Sequence, residues 1–347
     1  MNWKLVERIE DFDDYSYHHW IEGVKNGYLV YFSKKSGICI RKCDSLKLIY
    51  ENSNYVSNNL NYYFFENELF FRVDNKLLRF DFTELKLVDV CETREEYTVM
   101  INGNYCMGRT VSRRPRIYRS EIIRISNGQV IYNWEGKSLP IHSEKNGITI
   151  FENSFESTLK GVDIEDKKDL WELPLHGHLT PRFYNSIDND LFLVMQRFEE
   201  KQYQLWGINK STGVILFKSS EEYFKSYNFD EGIKMLVGIE GSHYQSVDPF
   251  SGKILKNQQI SINQGENNFW ANLGRQSINE SQIFYSISGK SKIGCFNLDT
   301  ENNDYFIDIE VDESKVDMSM PLETPVVNEG FLFVRDNSGV LHVLKQN

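Results

Sequence analysis

Apolar residues run through this chain in short blocks of four to eight. Polar clusters rich in Gly, Asn, Asp and Ser separate the blocks at short, regular intervals. Such blocks, rich in Phe, Tyr, Val and Ile, predict many short β-strands, and no amphipathic helix pattern exceeds two turns. Several blocks are apolar at consecutive positions: Tyr28-Leu29-Val30-Tyr31-Phe32, Leu69-Phe70-Phe71-Arg72-Val73, Leu191-Phe192-Leu193-Val194-Met195, Met235-Leu236-Val237-Gly238-Ile239 and Phe331-Leu332-Phe333-Val334. A strand apolar on both faces predicts a sheet covered by neighbours on both sides.

The pattern repeats. One copy, Tyr203 to Phe217, reads as a strand, a tight turn ending in Gly213, and a second strand. The same shape recurs from His243 to Leu255 and from Leu159 to Trp171, with weaker copies at Leu77–Asp81, Ile122–Gly128 and Ile293–Asn297. A polar residue closes the first strand of each copy, where its side chain can accept a hydrogen bond from the turn backbone. Gly then supplies the positive φ of a bulged hairpin loop. These markers are Asp44, Asp81, Ser126, Asp163, Asn209, Asp248 and Asn297, with Lys345 in the last copy; they are spaced 37 to 49 residues apart, 43 on average. A four-stranded propeller blade has a repeat of roughly 40–50 residues.

The predicted fold is therefore all-β, a β-propeller of eight four-stranded blades in a single domain spanning residues 1–347. Seven blades is the alternative, because the copies near residues 100–150 match poorly. The last copy stops after Gly339-Val340-Leu341-His342-Val343-Leu344 without an outer strand, whereas Trp3-Lys4-Leu5-Val6-Glu7-Arg8-Ile9 reads as a strand without a hairpin partner. Setting that N-terminal strand on the last blade closes the ring and removes long unpaired edges.

The run Leu205-Trp206-Gly207-Ile208-Asn209-Lys210-Ser211-Thr212-Gly213-Val214-Ile215-Leu216-Phe217 resembles the repeat of the pyrroloquinoline-quinone-like propeller superfamily, whose usual form is Leu-Tyr-Ala-Leu-Asp-x-x-Thr-Gly-Lys-x-Leu-Trp. Asp163 to Trp171 and Asp248 to Leu255 resemble it in part. The resemblance covers most of the chain as a fold and three blades in sequence, and it implies a ring of seven or eight blades. It does not carry catalysis across. The quinone dehydrogenases of that superfamily need an exported chain, a bound calcium and usually a vicinal disulfide, and no two cysteines are adjacent here. The cofactor-free, non-catalytic branch, largely binding scaffolds and similar in role to WD-repeat propellers, is the better match.

Charge narrows the partners. With 39 Lys+Arg and 50 Asp+Glu the net charge is −11, which disfavours general binding to nucleic acid or anionic membranes and suits a basic protein partner. No stretch approaches the ~20 apolar residues of a membrane-spanning helix. Residues 1–7 show no signal-peptide pattern, so a cytoplasmic location is expected. The five cysteines, Cys39, Cys43, Cys91, Cys106 and Cys295, are an odd, scattered set, expected to be reduced and half-buried. Cys39 and Cys43, four strand residues apart, would be separated by about 13 Å, beyond the ~7 Å a disulfide can bridge.

Candidate chemistry is sparse. His176-Gly177-His178 lacks the further ligands of a metal site, and neither metal nor cofactor is expected. Gly289-Lys290-Ser291 is not a phosphate-binding loop, because position 284, where the motif needs Gly, is Phe. The acidic pairs Asp13-Asp14, Glu221-Glu222 and Asp312-Glu313 read as solvated loops, and Asp188-Asn189-Asp190 as a turn. The one charge anomaly is basic: Arg109, Arg113, Arg114, Arg116, Arg119 and Arg124 lie within sixteen residues. With Tyr118 as a stacking face, Arg109, Arg113, Arg114, Arg116 and Arg119 form a candidate rim patch, since guanidinium forks bind carboxylates and phosphates. Aromatic clusters at Tyr62–Phe65, Tyr15–Tyr17 with Trp20, and Phe269-Trp270 are candidates for interface anchors or inter-blade packing.

These features predict a non-catalytic protein-binding platform whose oligomeric state is left open with a monomer favoured, in a narrower form an immunity-type protein that covers a cationic toxin or effector. One alternative is an enzyme, a hydrolase or lyase, whose channel site draws on His176, His178, Arg182 and Arg275. The other is a small-ligand sensor.

Overall fold

A computed structural model of the protein describes residues 3–10, 24–33, 35–54, 60–65, 68–73, 76–92, 97–102, 104–113, 116–136, 138–143, 147–153, 156–175, 183–188, 190–197, 203–224, 227–260 and 271–346. Strand β1 is Trp3–Ile9. Then follow β2 (Val24–Lys25), β3 (Tyr28–Ser33), β4 (Gly37–Lys42) and β5 (Leu48–Asn52); β6 (Leu60–Phe65), β7 (Glu68–Val73), β8 (Lys76–Asp81) and β9 (Lys86–Glu92). Next are β10 (Tyr97–Asn102), β11 (Tyr105–Arg113), β12 (Arg116–Arg124) and β13 (Gln129–Gly136); β14 (Ser138–Ser143), β15 (Ile148–Asn153), β16 (Thr158–Asp163) and β17 (Lys168–Pro174). Then come β18 (Phe183–Ser186), β19 (Leu191–Arg197), β20 (Tyr203–Asn209) and β21 (Ile215–Glu221); β22 (Asn228–Asp230), β23 (Met235–Glu240), β24 (His243–Val247) and β25 (Ile254–Gln259). The last are β26 (Ala271–Asn279), β27 (Gln282–Ile287), β28 (Lys292–Asn297) and β29 (Asn302–Asp308), then β30 (Val326–Asn328), β31 (Phe331–Arg335) and β32 (Leu341–Gln346).

Among the described residues these strands form eight four-stranded antiparallel sheets, and seven of them are consecutive meanders. The eighth has the order β30-β31-β32-β1.

The chain divides into two compact units: Met1–Asn58, Phe224–Asp248 and Ile254–Asn347 in one, Asn59–Tyr223 and Pro249–Lys253 in the other. In the first unit the leading strands of successive sheets lie side by side, β22 with β26, β26 with β30, and β30 with β2. In the second, β6 adjoins β10 and β10 adjoins β14.

The apolar cores lie between sheets. Leu29 and Tyr31 pack with Phe331, Phe333 and Leu341, and Ile239 and Tyr244 with Ile283, Tyr285 and Phe296. In the second unit Ile150 and Leu159 pack with Phe192, Val194 and Trp206. This arrangement accounts for the runs apolar on both faces: both faces of the middle strands are covered, and Phe331 to Arg335 are all buried. The fourth strands alternate instead, with Leu216, Lys218 and Ser220 of β21 exposed. Burial of each large apolar side chain contributes about 1.5–3 kcal/mol.

The turns follow one rule. In five copies, four residues after the polar marker comes a residue of positive φ: Leu85, Lys167, Gly213, Gly252 and Glu301. The sequence reading placed two markers, Asp44 and Ser126, two residues late. The positive-φ residues there are Leu46 and Gly128, so the equivalent positions are Lys42 and Arg124, the last residues of β4 and β12. The Asx bonds form as anticipated at Asp81, Asp163, Asn209 and Asn297. Each Oδ1 accepts N–H groups two and three residues on, at 2.8 to 3.1 Å. Gly213 is required twice over: its φ is +69°, and a Cβ would stand 2.5 Å from the Trp171 ring. Trp171 also covers Gly161 on the neighbouring strand, and its Nε1 donates to the carbonyl of Lys210 at 2.7 Å. Phe217 covers Gly207 and Gly252 in the same way, and the Tyr223 hydroxyl donates to the Gly252 carbonyl.

The N-terminal strand is fastened on several sides. β1 pairs with β32 from Trp3↔Gln346 to Ile9↔Leu341, with a bulge after Leu5. Glu7 accepts from Arg41 at 2.7 Å and Arg8 donates to Glu310 at 2.8 Å. Trp3 meets Phe284 edge-on and donates to the Tyr305 hydroxyl at 3.3 Å. The predicted union of the first strand with the last sheet is thus formed.

Candidate functional site

The arginine-rich segment forms a hairpin. β11 and β12 are nine residues each and pair without interruption from Tyr105↔Arg124 to Arg113↔Arg116. Positions 109 and 113 lie on β11, and 116, 118 and 119 on β12; Arg114 lies outside the described residues, as do the side chains of the other five. Residues directly opposed on an antiparallel ladder share a face. The pairs Arg113↔Arg116, Val111↔Tyr118 and Arg109↔Ser120 therefore put positions 109, 113, 116 and 118 on one face, and the Thr110↔Arg119 pair puts 119 on the other.

Arg124 belongs elsewhere. It ends β12, eight residues or about 26 Å of strand from Arg116. Its guanidinium donates to Glu165, which also accepts from the Tyr105 hydroxyl. Burial, then the bond to Glu165, push the Tyr105 phenol up to about 12. Here the arginine pairs with the protein's own carboxylate.

A cleft of about 450 Å³ opens beside this ion pair. Glu68, Arg79, Asp89, Tyr105, Arg124 and Ser126 line it, with Phe70 and Val90 as apolar wall. Glu68 accepts from Arg79 at 3.1 Å, so both arginines in the cleft already face carboxylates. The lining is polar and electrically balanced, without the concentrated charge of an anion site.

His176, His178 and Arg182 lie outside the described residues, and Arg275 lies on β26 with its side chain outside them. Of the aromatic clusters, Tyr62 is buried; Tyr15, Tyr17, Trp20, Phe269 and Trp270 lie outside the described residues. Among the described residues no three His, Cys, Asp or Glu side chains group as metal ligands. Asp188 makes the expected turn, its Oδ1 accepting from the N–H groups of Asp190 and Leu191 at 2.8 and 2.7 Å.

Sequence reasoning missed the buried charges. Arg72, Glu152 and Arg335 occupy the same register position on β7, β15 and β31 and are each at most 5% exposed. Arg335 faces Glu323, Nη1 to Oε1 3.8 Å. Beyond it Asp336 and His342 pair at 2.8 Å, both side chains 2% exposed. Burial raises the Asp336 carboxyl, but hydrogen bonds from His342, Ser338 and the Val340 N–H outweigh it and hold the group below its ordinary value. A signal was present: Arg72 interrupts the run Leu69-Phe70-Phe71-Arg72-Val73, Glu152 follows Ile150-Phe151, and Arg335 follows Phe331-Leu332-Phe333-Val334.

No family model matches the chain, and no curated protein matches it. Solved structures do. The computationally designed protein Ika8 matches with a TM-score of 0.62 at 12% identity, over 93% of this chain and 94% of its own. Sqt1 from Saccharomyces cerevisiae matches at 0.59 and 12% identity, over 92% and 93%. BamB from Moraxella catarrhalis, a propeller of the pyrroloquinoline-quinone-like type, matches at 0.57 and 11% identity, over 99% and 100%. Likeness at such identities shows the fold alone, and that fold is a β-propeller.

Proposed function

We propose that the chain is a single eight-bladed propeller closed by β1, acting as a cytoplasmic, non-catalytic scaffold that binds a basic protein. The observation that carries this reading is the net charge of −11 on a propeller frame. Asp89, Asp169 and Asp308 on the outer strands each pair with a lysine, Lys76, Lys160 and Lys292, whereas exposed carboxylates of the turns, among them Asp166, Glu231, Glu280 and Glu313, contribute to that field. Val214, Leu216 and Phe250, each more than half exposed, supply apolar contact area. A rigid set of sheets holds such residues in place before the partner arrives, which lowers the ordering cost of binding. An acidic field then raises the encounter rate with a basic partner. The narrower form is an immunity-type protein that neutralises a cationic toxin or effector by covering its active surface.

The test is affinity capture of the tagged protein from its native lysate at low and moderate salt, followed by binding kinetics with the purified partner. One stoichiometric basic protein, with an association rate that falls as salt rises, supports the reading. No stoichiometric partner at either salt, or an association rate indifferent to salt, overturns it.

A further inference from the structure

Sheets β6–β9 and β10–β13 meet in an apolar seam of Phe70, Leu77, Cys106 and Ile123, with Cys91 packed against it. Cys91 is the penultimate residue of β9, an outer strand, and is half-buried; Cys106 lies on β11 and is fully buried. The two come from different sheets, and their thiols meet as partners within that seam. Trp171 and Phe217 each pack on a turn glycine, Gly213 and Gly252. Cys91 packs in the same way on Gly128, where an added Cβ would lie 3.2 Å from its own. A small thiol thus stands in a role that aromatic rings fill at the other two places.

The remaining thiols contrast with it. Cys39, Cys43 and Cys295 are buried, and burial pushes Cys43 and Cys295 up to about 12. Cys91 is the one cysteine that solvent reaches, and its interaction with Cys106 lowers its thiol below the ordinary value. Thiolate character and access together mark the sulfur that reacts.

We propose that Cys91 and Cys106 are an oxidant-sensitive pair that closes into a disulfide between the two sheets, with a low-molecular-weight disulfide as the oxidant. The Cys91 thiolate attacks one sulfur of that disulfide, breaks its S–S bond and releases one small thiolate. The Cys106 sulfur then attacks the Cys91 sulfur of the mixed disulfide and displaces the second small thiolate, which takes up the Cys106 proton. Two protein thiols are oxidised and one small disulfide is reduced to two thiols. The new bond ties β9 to β11 across the seam.

The reduced protein is incubated with glutathione disulfide, quenched in acid, alkylated, digested and mapped by mass spectrometry. The expected product is a linked peptide pair joining Cys91 and Cys106, with loss of two of the five titratable thiols. Cys106→Ser should stop at a glutathione adduct on Cys91, and Cys91→Ser should lose thiols at least tenfold more slowly. A persistent glutathione adduct on wild-type Cys91 without the linked pair overturns the proposal. So does wild-type thiol loss no faster than that of Cys91→Ser. The wild-type map needs no variant, so a Cys106→Ser protein that fails to fold leaves the test intact.

Discussion

Asp336 shows how much a single buried carboxylate can carry. It accepts from Ser338 and Val340 N–H groups at 2.9 and 3.1 Å while pairing with His342 at 2.8 Å. One group therefore shapes the β31–β32 turn and holds a buried imidazole in place. Removing one partner of a buried pair is costly because the other stays desolvated. Asp336→Asn should lose about 3 kcal/mol at pH 7, read as a drop in the urea midpoint at unchanged slope. The pH dependence follows from the lowered carboxyl. A depressed value contributes stability that is complete above the unfolded pKa of ~3.9 and is lost as pH falls through the folded value beneath it. The gap between wild type and Asp336→Asn should thus narrow below about pH 4. A gap of equal size at pH 7 and pH 3 would remove the carboxylate's charge from the account.

At the scale of the element, the turn between third and fourth strands explains both why the repeat can be read and why it is faint. Gly128, Gly213 and Gly252 fill its positive-φ position in three copies, and Leu46, Leu85, Lys167 and Glu301 fill it in four. An L residue there costs roughly 1–2 kcal/mol, which flanking hydrogen bonds such as those to Asp163 help to offset. The glycine signature is thus tolerated away rather than kept. This is also why the sequence pattern points to Asp44 and Ser126 rather than to Lys42 and Arg124: the geometry recurs there without its usual side chains. Lys167 is exposed, with φ +55°. Lys167→Gly should relieve the backbone and lose part of the gain to unfolded-state entropy, a net stabilisation of roughly 0.5–1 kcal/mol. Chemical denaturation of the two proteins decides it, and a destabilised variant would mean that the Lys side chain contributes more than its backbone costs.

For the whole molecule, the all-β class, the antiparallel pairing of successive strands and the seating of β1 on the last sheet were legible because period and spacing are properties of the chain alone. The buried Arg335 and Asp336 were not, since burial of a charge depends on what the neighbouring sheet brings to it. The arginine cluster was legible as composition but not as geometry: Arg124 pairs with Glu165 at one end of β12, and positions 113 and 116 face each other at the other end. That hairpin sets a test for the acidic scaffold. A basic partner drawn by the net charge should be repelled by the hairpin and dock away from it. Arg113→Glu with Arg116→Glu lowers the net charge of −11 by a further two per substitution. If the field steers a partner that docks elsewhere, the double variant should associate a few-fold faster at low salt, with the difference vanishing as the Debye length shrinks. If the hairpin instead grips an acidic segment of the partner, the same variant loses binding at every salt concentration, because the loss is of forked contacts rather than of long-range attraction. Stopped-flow association at two ionic strengths separates the two outcomes, and the second would move the binding surface from the exposed acidic turns to the tip of β11 and β12.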